Sequence, residues 1–226
     1  MARDFKTRLT RRAGKAGLFL EDHLASALTA YYDLLARWNR KINLTALDNP
    51  DEAIDRLLLE PVVAGRALAG TGVRELIDIG SGGGSPAIPL VLTLGPDVAL
   101  TMVEVKARKS AFLREAVRHL QLPKATVETS RYEELLSRPE LLESFDLLTT
   151  RAVRVEPRIL MTLQAFVRLG GQVALFRGPA GPDAPQVIHP LEWESTIPLL
   201  ESLQSRLSVL RKRSAGMGVS RGTVRV

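Results

Sequence analysis

Apolar residues recur at helical spacing between Glu21 and Lys41, where Leu24, Leu28, Tyr31, Leu35 and Trp38 fall on one face and predict an amphipathic helix. A second helical stretch runs from Asp51 to Leu68, with Asn49 placed to cap it and Pro50 in its first turn. From Glu75 onward the pattern alternates between short apolar runs and helical ones. The strands fall at Glu75–Ile79, Val98–Glu104, Ala125–Thr129 and Phe145–Thr149, and the helices at Pro86–Leu94, Lys106–Leu120, Glu133–Leu136 and Glu156–Leu169. Gly170-Gly171 turn the chain into a fifth strand, Gln172–Phe176, and Arg177–Pro185 reads as a loop. Two late strands, near Glu192–Ile197 and Arg206–Leu210, would close the sheet as an antiparallel pair. Strand and helix in alternation predict an α/β fold: a mostly parallel, seven-stranded sheet with an N-terminal helical extension. The expected divisions are a basic, loosely ordered stretch over residues 1–17, the helical extension over 18–70, the sheet domain over 71–212 and a basic tail over 213–226.

The run Gly80-Ser81-Gly82-Gly83-Gly84 joins the first strand to its helix. Residues without a Cβ turn the backbone sharply and let a ligand approach it closely, and the helix beyond offers free N–H groups to an anionic ligand. Glu104, twenty residues past Gly84 at the end of the second strand, is placed to accept hydrogen bonds from a ribose diol. A G-x-G-x-x-G spacing would point to a dinucleotide; here the spacing is G-x-G-x-G, and an acid, Asp78, stands inside the preceding strand. Those two features are typical of Rossmann-like (class I) enzymes that bind S-adenosylmethionine, with a ligand-free glycine turn as the alternative. Strand order in such sheets gathers Asp78, Gly80 to Gly84, Glu104, Ser130-Arg131-Tyr132-Glu133 and Thr149-Thr150-Arg151 around one crevice. Asp78, Gly80, Ser81, Gly82 and Gly84 would hold the methionine end, Glu104 the ribose, and Ser130 to Glu133 the adenine.

Composition narrows the chemistry. The chain has no cysteine, which removes disulfides, a thiolate zinc site and the cysteine nucleophile common in methylation at pyrimidine carbon 5. The three histidines, His23, His119 and His189, have no metal-ligand spacing. No apolar stretch is long enough to span a bilayer, and residues 1–15 lack an apolar signal core, so a cytoplasmic protein is expected. The net charge of +6 is concentrated at the ends. Arg3, Lys6, Arg8, Arg11, Arg12 and Lys15 face only Asp4 in the first stretch, and Arg206, Arg211, Lys212, Arg213, Arg221 and Arg225 face no acid in the last, so the middle is mildly acidic. Basic ends attract polyanions, nucleic acid above all, with solvated tails that only aid solubility as the alternative.

The end of the fourth strand would face the acceptor. Enzymes that methylate an exocyclic amine commonly carry Asn- or Asp-Pro-Pro-aromatic there; this chain has Thr149-Thr150-Arg151-Ala152. A ring nitrogen with a free lone pair, such as guanine N7, loses no proton and requires no general base, so alignment would carry most of the catalysis. Arg151 is the candidate catalytic residue, holding guanine O6 or a phosphate, with an ion pair that closes the strand end as the alternative. Arg177 would hold a second phosphate, with an ordinary solvated arginine as the alternative. The helix start Lys106-Ala107-Arg108-Lys109 is basic where a helix dipole favours acid, which hints at an anionic partner, with a plain solvated face as the alternative.

Several stretches resemble the bacterial small-subunit ribosomal RNA guanine-N7 methyltransferases, also called glucose-inhibited division protein B. They are Arg37-Trp38-Asn39-Arg40-Lys41-Ile42-Asn43-Leu44-Thr45, Leu76 to Gly84, Val103 to Glu115, Ser130 to Glu134 and Arg151-Ala152, in order within residues 20–212. The resemblance implies methylation of one guanine of 16S ribosomal RNA, as naked RNA or in a small-subunit particle. It implies S-adenosylmethionine as cofactor and contacts to cofactor from Arg151 as well. Asn43, Lys106, Arg177, Arg211 and Lys212 become candidate RNA contacts, and the enzyme would be monomeric, without metal or membrane. Two segments depart from the family pattern. Ser85-Pro86-Ala87 stands where Phe-Pro-Gly is usual, and Arg56-Leu57-Leu58-Leu59-Glu60-Pro61 where Arg-His-x-x-Asp-Ser is usual. These departures leave room for a weakly active cofactor- and RNA-binding member, or for a different acceptor.

Overall fold

The computed structural model describes residues 2–45, 49–151, 156–180 and 187–214. Ala152 and the tail from residue 215 therefore lie outside the described residues, as does most of the loop expected over 177–185. The chain opens with helices α1 (Ala2–Lys15) and α2 (Asp22–Asn39). A third helical stretch is continuous but not uniform: α3 (Pro50–Ile54), a π turn (Asp55–Leu59) and α4 (Glu60–Leu68). Asn49 caps it, its side chain accepting from the N–H groups of Asp51 and Glu52. Then follow β1 (Glu75–Ile79), α5 (Ala87–Leu94), β2 (Ala99–Val103), α6 (Ala107–His119), β3 (Ala125–Glu128), β4 (Phe145–Arg151), α7 (Pro157–Leu163), β5 (Val167–Arg177), β6 (Leu191–Pro198) and β7 (Arg206–Lys212).

The seven strands form one sheet in the order β3-β2-β1-β4-β5-β7-β6. The first five pair in parallel, and β7 joins β5 and β6 antiparallel. The order reverses between β1 and β4, so the carboxyl ends of those strands bound the crevice where ligands of such sheets bind.

Alternation along each strand divides the core in two. Leu76, Leu100, Met102 and Leu147 face a layer built by α1, α2, α4, α5 and α6. Ile77, Ile79, Val103 and Leu148 face α7 and the turn after it.

Three expectations are corrected. The stretch expected to be loose is helical over Ala2–Lys15: α1 buries Leu9 and Ala13 completely, and Phe5 stacks on Tyr32 with ring centroids 4.1 Å apart. Three of its cations are bound as well, Lys6 to Asp22, Arg8 to Asp51 and Arg12 to Asp51 and Asp55. Helix α7 ends at Leu163, and residues expected to continue it begin β5 at Val167. Gly170-Gly171 lie inside that strand, at the irregularity between its two pairing segments with β4. The short helix expected at Glu133–Leu136 is a 3-10 turn, Glu134–Ser137.

Candidate functional site: a glycine-turn crevice over two carboxylates

The turn after β1 folds against the end of β2. Val103 O accepts from the N–H groups of Gly80 and Ser81 at 2.9 and 3.0 Å, and Glu104 fixes the next step. Its Oε2 accepts from Gly82 N at 2.9 Å and its Oε1 from Lys106 N at 2.8 Å. Each oxygen keeps a second lone pair. Gly80, Gly82 and Gly84 all have positive φ, at 76°, 52° and 86°, a region that favours glycine. The turn is held from above as well, because the Tyr31 hydroxyl on α2 donates to Gly83 O at 2.5 Å.

Asp78 sits beneath this turn and is 1% exposed. The Thr149 hydroxyl donates to its Oδ1 at 2.6 Å, and its Oδ2 has no hydrogen-bond partner. Burial pushes its carboxyl up to about 6, against the hydrogen bonds and the nearby Arg151 charge that pull it down. A buried carboxylate oxygen without a donor is a site for a cation or an N–H group.

A cleft of about 220 Å³ opens over the turn, lined by Leu35, Leu44, Thr45, Arg56, Leu57, Gly80 to Gly83, Ser85 and Arg151. Its wall of Leu44 and Thr45 is tied by Asn39 at the end of α2. The Asn39 side chain accepts from Leu44 N at 2.8 Å and Thr45 N at 3.0 Å and donates to Thr45 O at 2.9 Å. The specific part of the Trp38-to-Thr45 stretch is thus a self-fastened turn that closes the crevice.

Arg151 ends β4 with its side chain 17% exposed. Its Nη1 donates to Arg56 O at 2.7 Å, its Nη2 lies 2.6 Å from Glu60 Oε2, and its guanidinium lies over the Phe176 ring at 5.0 Å. The Glu60 contact is off-axis, so Nη2 makes no hydrogen bond, and neither does Nε. Burial lowers the Arg151 pKa, and Glu60 and Asp78 raise it. The acceptor for Nη1 exists because of Pro61. In the π turn, Glu60 N bonds Asp55 O, so Arg56 O loses its α-helical donor; the next donor in line would be residue 61, which has no N–H. Pro61 also cannot donate to Leu57 O, and the Ser85 hydroxyl bonds that carbonyl at 2.9 Å. The two segments that depart from the family pattern therefore meet each other.

The turn after β3 lies beside Glu104, whose N–H bonds Glu128 O at 3.0 Å. Ser130 Oγ is buried without a partner, Tyr132 is half-buried, and Arg131 and Glu133 are exposed. Asn43 and Lys106 line a common recess with Lys41, Arg108 and Lys109. Arg177 reaches a small cavity shared with Arg151 and bonds Ser208 Oγ at 3.2 Å.

Arg211 and Lys212 are corrected. β7 runs antiparallel to β5, with Arg211 opposite Gln172, which places both at the end of the sheet away from the crevice. Arg211 binds Glu194 and Gly170 O. Lys212 is 4% exposed and is spent on Glu143, Gln164 O and Val167 O. The basic run at the end of the chain is thus partly structural.

Sequence reasoning missed Tyr31, Asn39 and Glu60 as parts of the site, and it placed Thr149 at the crevice without its bond to Asp78. Only Asn39 carried a signal, through the specificity of its stretch. Among the described residues no group of three His, Asp or Glu could hold a metal ion, and no helix is long and apolar enough to cross a membrane.

Comparison with known proteins agrees with this geometry. Residues 24–189 match the family model GidB, described as rRNA small subunit methyltransferase G. A ribosomal RNA small subunit methyltransferase G of Xanthomonas axonopodis pv. citri is 36% identical over 208 residues, covering 85% of this chain and 89% of its own length. The protein of the same name from Xanthomonas euvesicatoria pv. vesicatoria matches with the same identity and coverage. Among solved structures, a putative O-methyltransferase from Klebsiella pneumoniae superposes with a TM-score of 0.60 at 14% identity, covering 82% of this chain and 90% of that one, a likeness of fold alone. With the G-x-G-x-G turn, the buried strand aspartate and the strand-end glutamate in place, the chain belongs to the small-subunit ribosomal RNA methyltransferase G (GidB) family.

Proposed function

We propose that this chain methylates N7 of a guanine in 16S ribosomal RNA, with S-adenosylmethionine as the methyl donor. The observation that carries the donor is the pair of carboxylates at the glycine turn. Asp78 keeps one buried oxygen without a partner, suited to an ammonium group. Glu104 is already oriented by two backbone N–H groups and keeps lone pairs for two hydroxyls. The unpartnered Ser130 hydroxyl and half-buried Tyr132 offer a polar group and a ring edge to the adenine. When bound, S-adenosylmethionine supplies a methyl group on a sulfonium, a strong electrophile.

The residues around the acceptor end fit a nucleophile that carries no proton. Among the described residues the cleft lining holds no carboxylate; of the acids near its acceptor end, Asp78 is buried below the turn and Glu60 is paired with Arg151. Neither is free to take a proton from an exocyclic amine. Guanine N7 needs no such acceptor: its lone pair forms the new N–C bond and the purine takes the positive charge. Arg151 stays off N7, whose lone pair is in use; with Nη1 on Arg56 O and Nη2 paired with Glu60, its Nε is the N–H left without a partner for O6 or phosphate. Orientation is the protein's main contribution.

The test is incubation of the chain with labelled S-adenosylmethionine and small-subunit RNA, followed by strand cleavage at N7-methylguanine. Label confined to one cleavable guanine is the expected result. Label on a carbon or an exocyclic amine would overturn the N7 assignment, and heat from cofactor binding with no label on any RNA would overturn the acceptor.

A further inference from the structure

A groove of about 770 Å³ runs between the end of α2 and α6, lined by Leu34, Arg37, Trp38, Arg40, Ile42, Arg108, Ala111 and Glu115 among others. It is continuous through Lys41, Ile42 and Arg108 with the recess of Asn43, Lys106 and Lys109. That recess adjoins the glycine turn: Lys106 N bonds Glu104, and Lys109 Nζ lies 3.9 Å from where a Cβ on Gly82 would stand.

Two properties set this groove apart. Its floor is apolar and partly aromatic, since Trp38 packs edge-on against Phe112 with centroids 5.8 Å apart and keeps part of its ring exposed. Its rim is cationic, and Arg37, Arg40, Lys41, Lys106, Arg108 and Lys109 form no ion pair and no side-chain hydrogen bond among the described residues. Elsewhere Lys6, Arg8, Arg12, Arg138, Arg151, Arg168, Arg211 and Lys212 are all spent on carboxylates. An unpaired cationic rim around an aromatic floor suits single-stranded nucleic acid, whose bases leave the stack to lie on aromatic faces while the phosphates follow the charge. A duplex hides its bases and would use the rim alone.

We infer that this groove is a nucleotide subsite: unpaired bases flanking the acceptor guanine lie on Trp38 and Ile42, and their phosphates lie on Arg37, Arg40, Lys41 and Arg108. The inference rests on the RNA-methyltransferase reading and deepens it by assigning the track along which the RNA reaches the crevice. Trp193, on β6, is the other tryptophan, so in the Trp193→Phe full-length chain Trp38 reports alone. Titration with a short unstructured ribo-oligonucleotide should quench Trp38 emission in a saturable way, with a steep salt dependence.

In the same background Arg40→Ala with Arg108→Ala should weaken binding about 25-fold near 0.1 M salt, taking about 0.7 log unit per lost single-strand phosphate contact. The KM for small-subunit RNA should rise by a similar factor, with kcat and the heat of cofactor binding unchanged. Silent Trp38 emission with RNA that the chain methylates would overturn the subsite, as would equal quenching by a duplex. Quenching by single strands from a chain that methylates no RNA would uphold the subsite and overturn the function. Loss of both signals would overturn both.

Discussion

The Thr149 hydroxyl on β4 donates a 2.6 Å hydrogen bond to Oδ1 of Asp78, its register partner on β1. The bond orients the carboxylate and leaves Oδ2 unpartnered in a buried place. Burial dominates, so the Asp78 carboxyl is held up at about 6. Its folded value lies above the unfolded one of about 4, so the native state holds this proton more tightly. The stability this group contributes is full at low pH and is lost as pH rises from about 4 through about 6, a loss of about 3 kcal/mol. A ligand ammonium group reverses the preference. Two outcomes are expected. Asp78→Asn should remove this component of the pH dependence, measured as the difference from the native chain in denaturant unfolding. The Kd for S-adenosylhomocysteine, by calorimetry, should weaken by up to about tenfold per pH unit below about 6. A Kd that stays flat from pH 5 to 7.5 would remove Asp78 from the cofactor site.

Arg151 and Glu60 are mutually dependent. Glu60 is 6% exposed at its side chain, and Arg151 is the cation that faces it. Arg151→Ala leaves that carboxylate buried and unpaired, at a cost of about 3–5 kcal/mol. Lost activity in that variant alone would therefore say little about catalysis. The double change Glu60→Gln with Arg151→Met removes both charges and should recover most of the stability in thermal unfolding. Methylation should stay depressed, about 100-fold or more, because no donor is left at the acceptor end. Recovery of methylation together with stability would reduce Arg151 to a structural role.

Much of the fold was legible because its signals are local. The alternation from Leu76 to Ile79 and the spacing from Leu24 to Trp38 reflect burial on a sheet face and a helix face, and both elements stand where the pattern put them. The crevice residues Asp78, Gly82 and Glu104 were legible for the same reason: turn, strand and acid are neighbours along the chain. What the sequence concealed depends on distant partners. Glu60 looks like an ordinary helix-surface acid until Arg151, from the far side of the sheet crossing, is placed beside it. Lys212 looks like part of a basic tail until antiparallel β7 buries it among the carbonyls of Gln164 and Val167. In α1, frequent charges masked the Phe5, Leu9 and Ala13 stripe, and their acidic partners lie far along the chain at Asp51 and Asp55.

Gly82 and Gly84 are required for different reasons. A Cβ on Gly82 meets nothing closer than 3.7 Å and would stand in the cleft, with a strained φ of 52°. A Cβ on Gly84 would lie 2.6 Å from Ile88 Cδ1 and 3.2 Å from Leu113 Cδ2, inside the core. Gly82→Ala should therefore fold, losing about 1 kcal/mol from the backbone strain. Binding of S-adenosylhomocysteine should fall steeply, and Gly82→Val should abolish it. Gly84→Ala should lose about 2–4 kcal/mol from overpacking plus strain. Thermal unfolding paired with calorimetry separates the two, and equal stability losses would sink the distinction.

Helix α1 reaches the crevice through one carboxylate. Arg12 Nε and Nη2 bond the two oxygens of Asp55 at 2.7 and 2.6 Å, and the Ser202 hydroxyl adds a 2.5 Å bond to Oδ2. Asp55 is 4% exposed at its side chain and opens the π turn. Its own carbonyl takes the Glu60 N–H, which frees Arg56 O for Arg151. A bidentate pair at that point fixes a turn on which the acceptor-end arginine depends. Arg12→Ala should cost about 3 kcal/mol by leaving a buried carboxylate with a single hydroxyl donor, which for a chain of this size lowers Tm by about 6–12 °C. Arg12→Lys should recover part of the stability through the charge but not the two-point geometry. A chain that starts at Leu18 should lose more, because burial of Leu9 and Ala13 goes with it. If α1 were only a basic hook for RNA, that truncation would change salt-dependent RNA affinity and leave Tm untouched. The pairing of Arg8 and Arg12 with Asp51 and Asp55 requires the reverse: a large fall in Tm, with methylation lost in step with the population of folded chain.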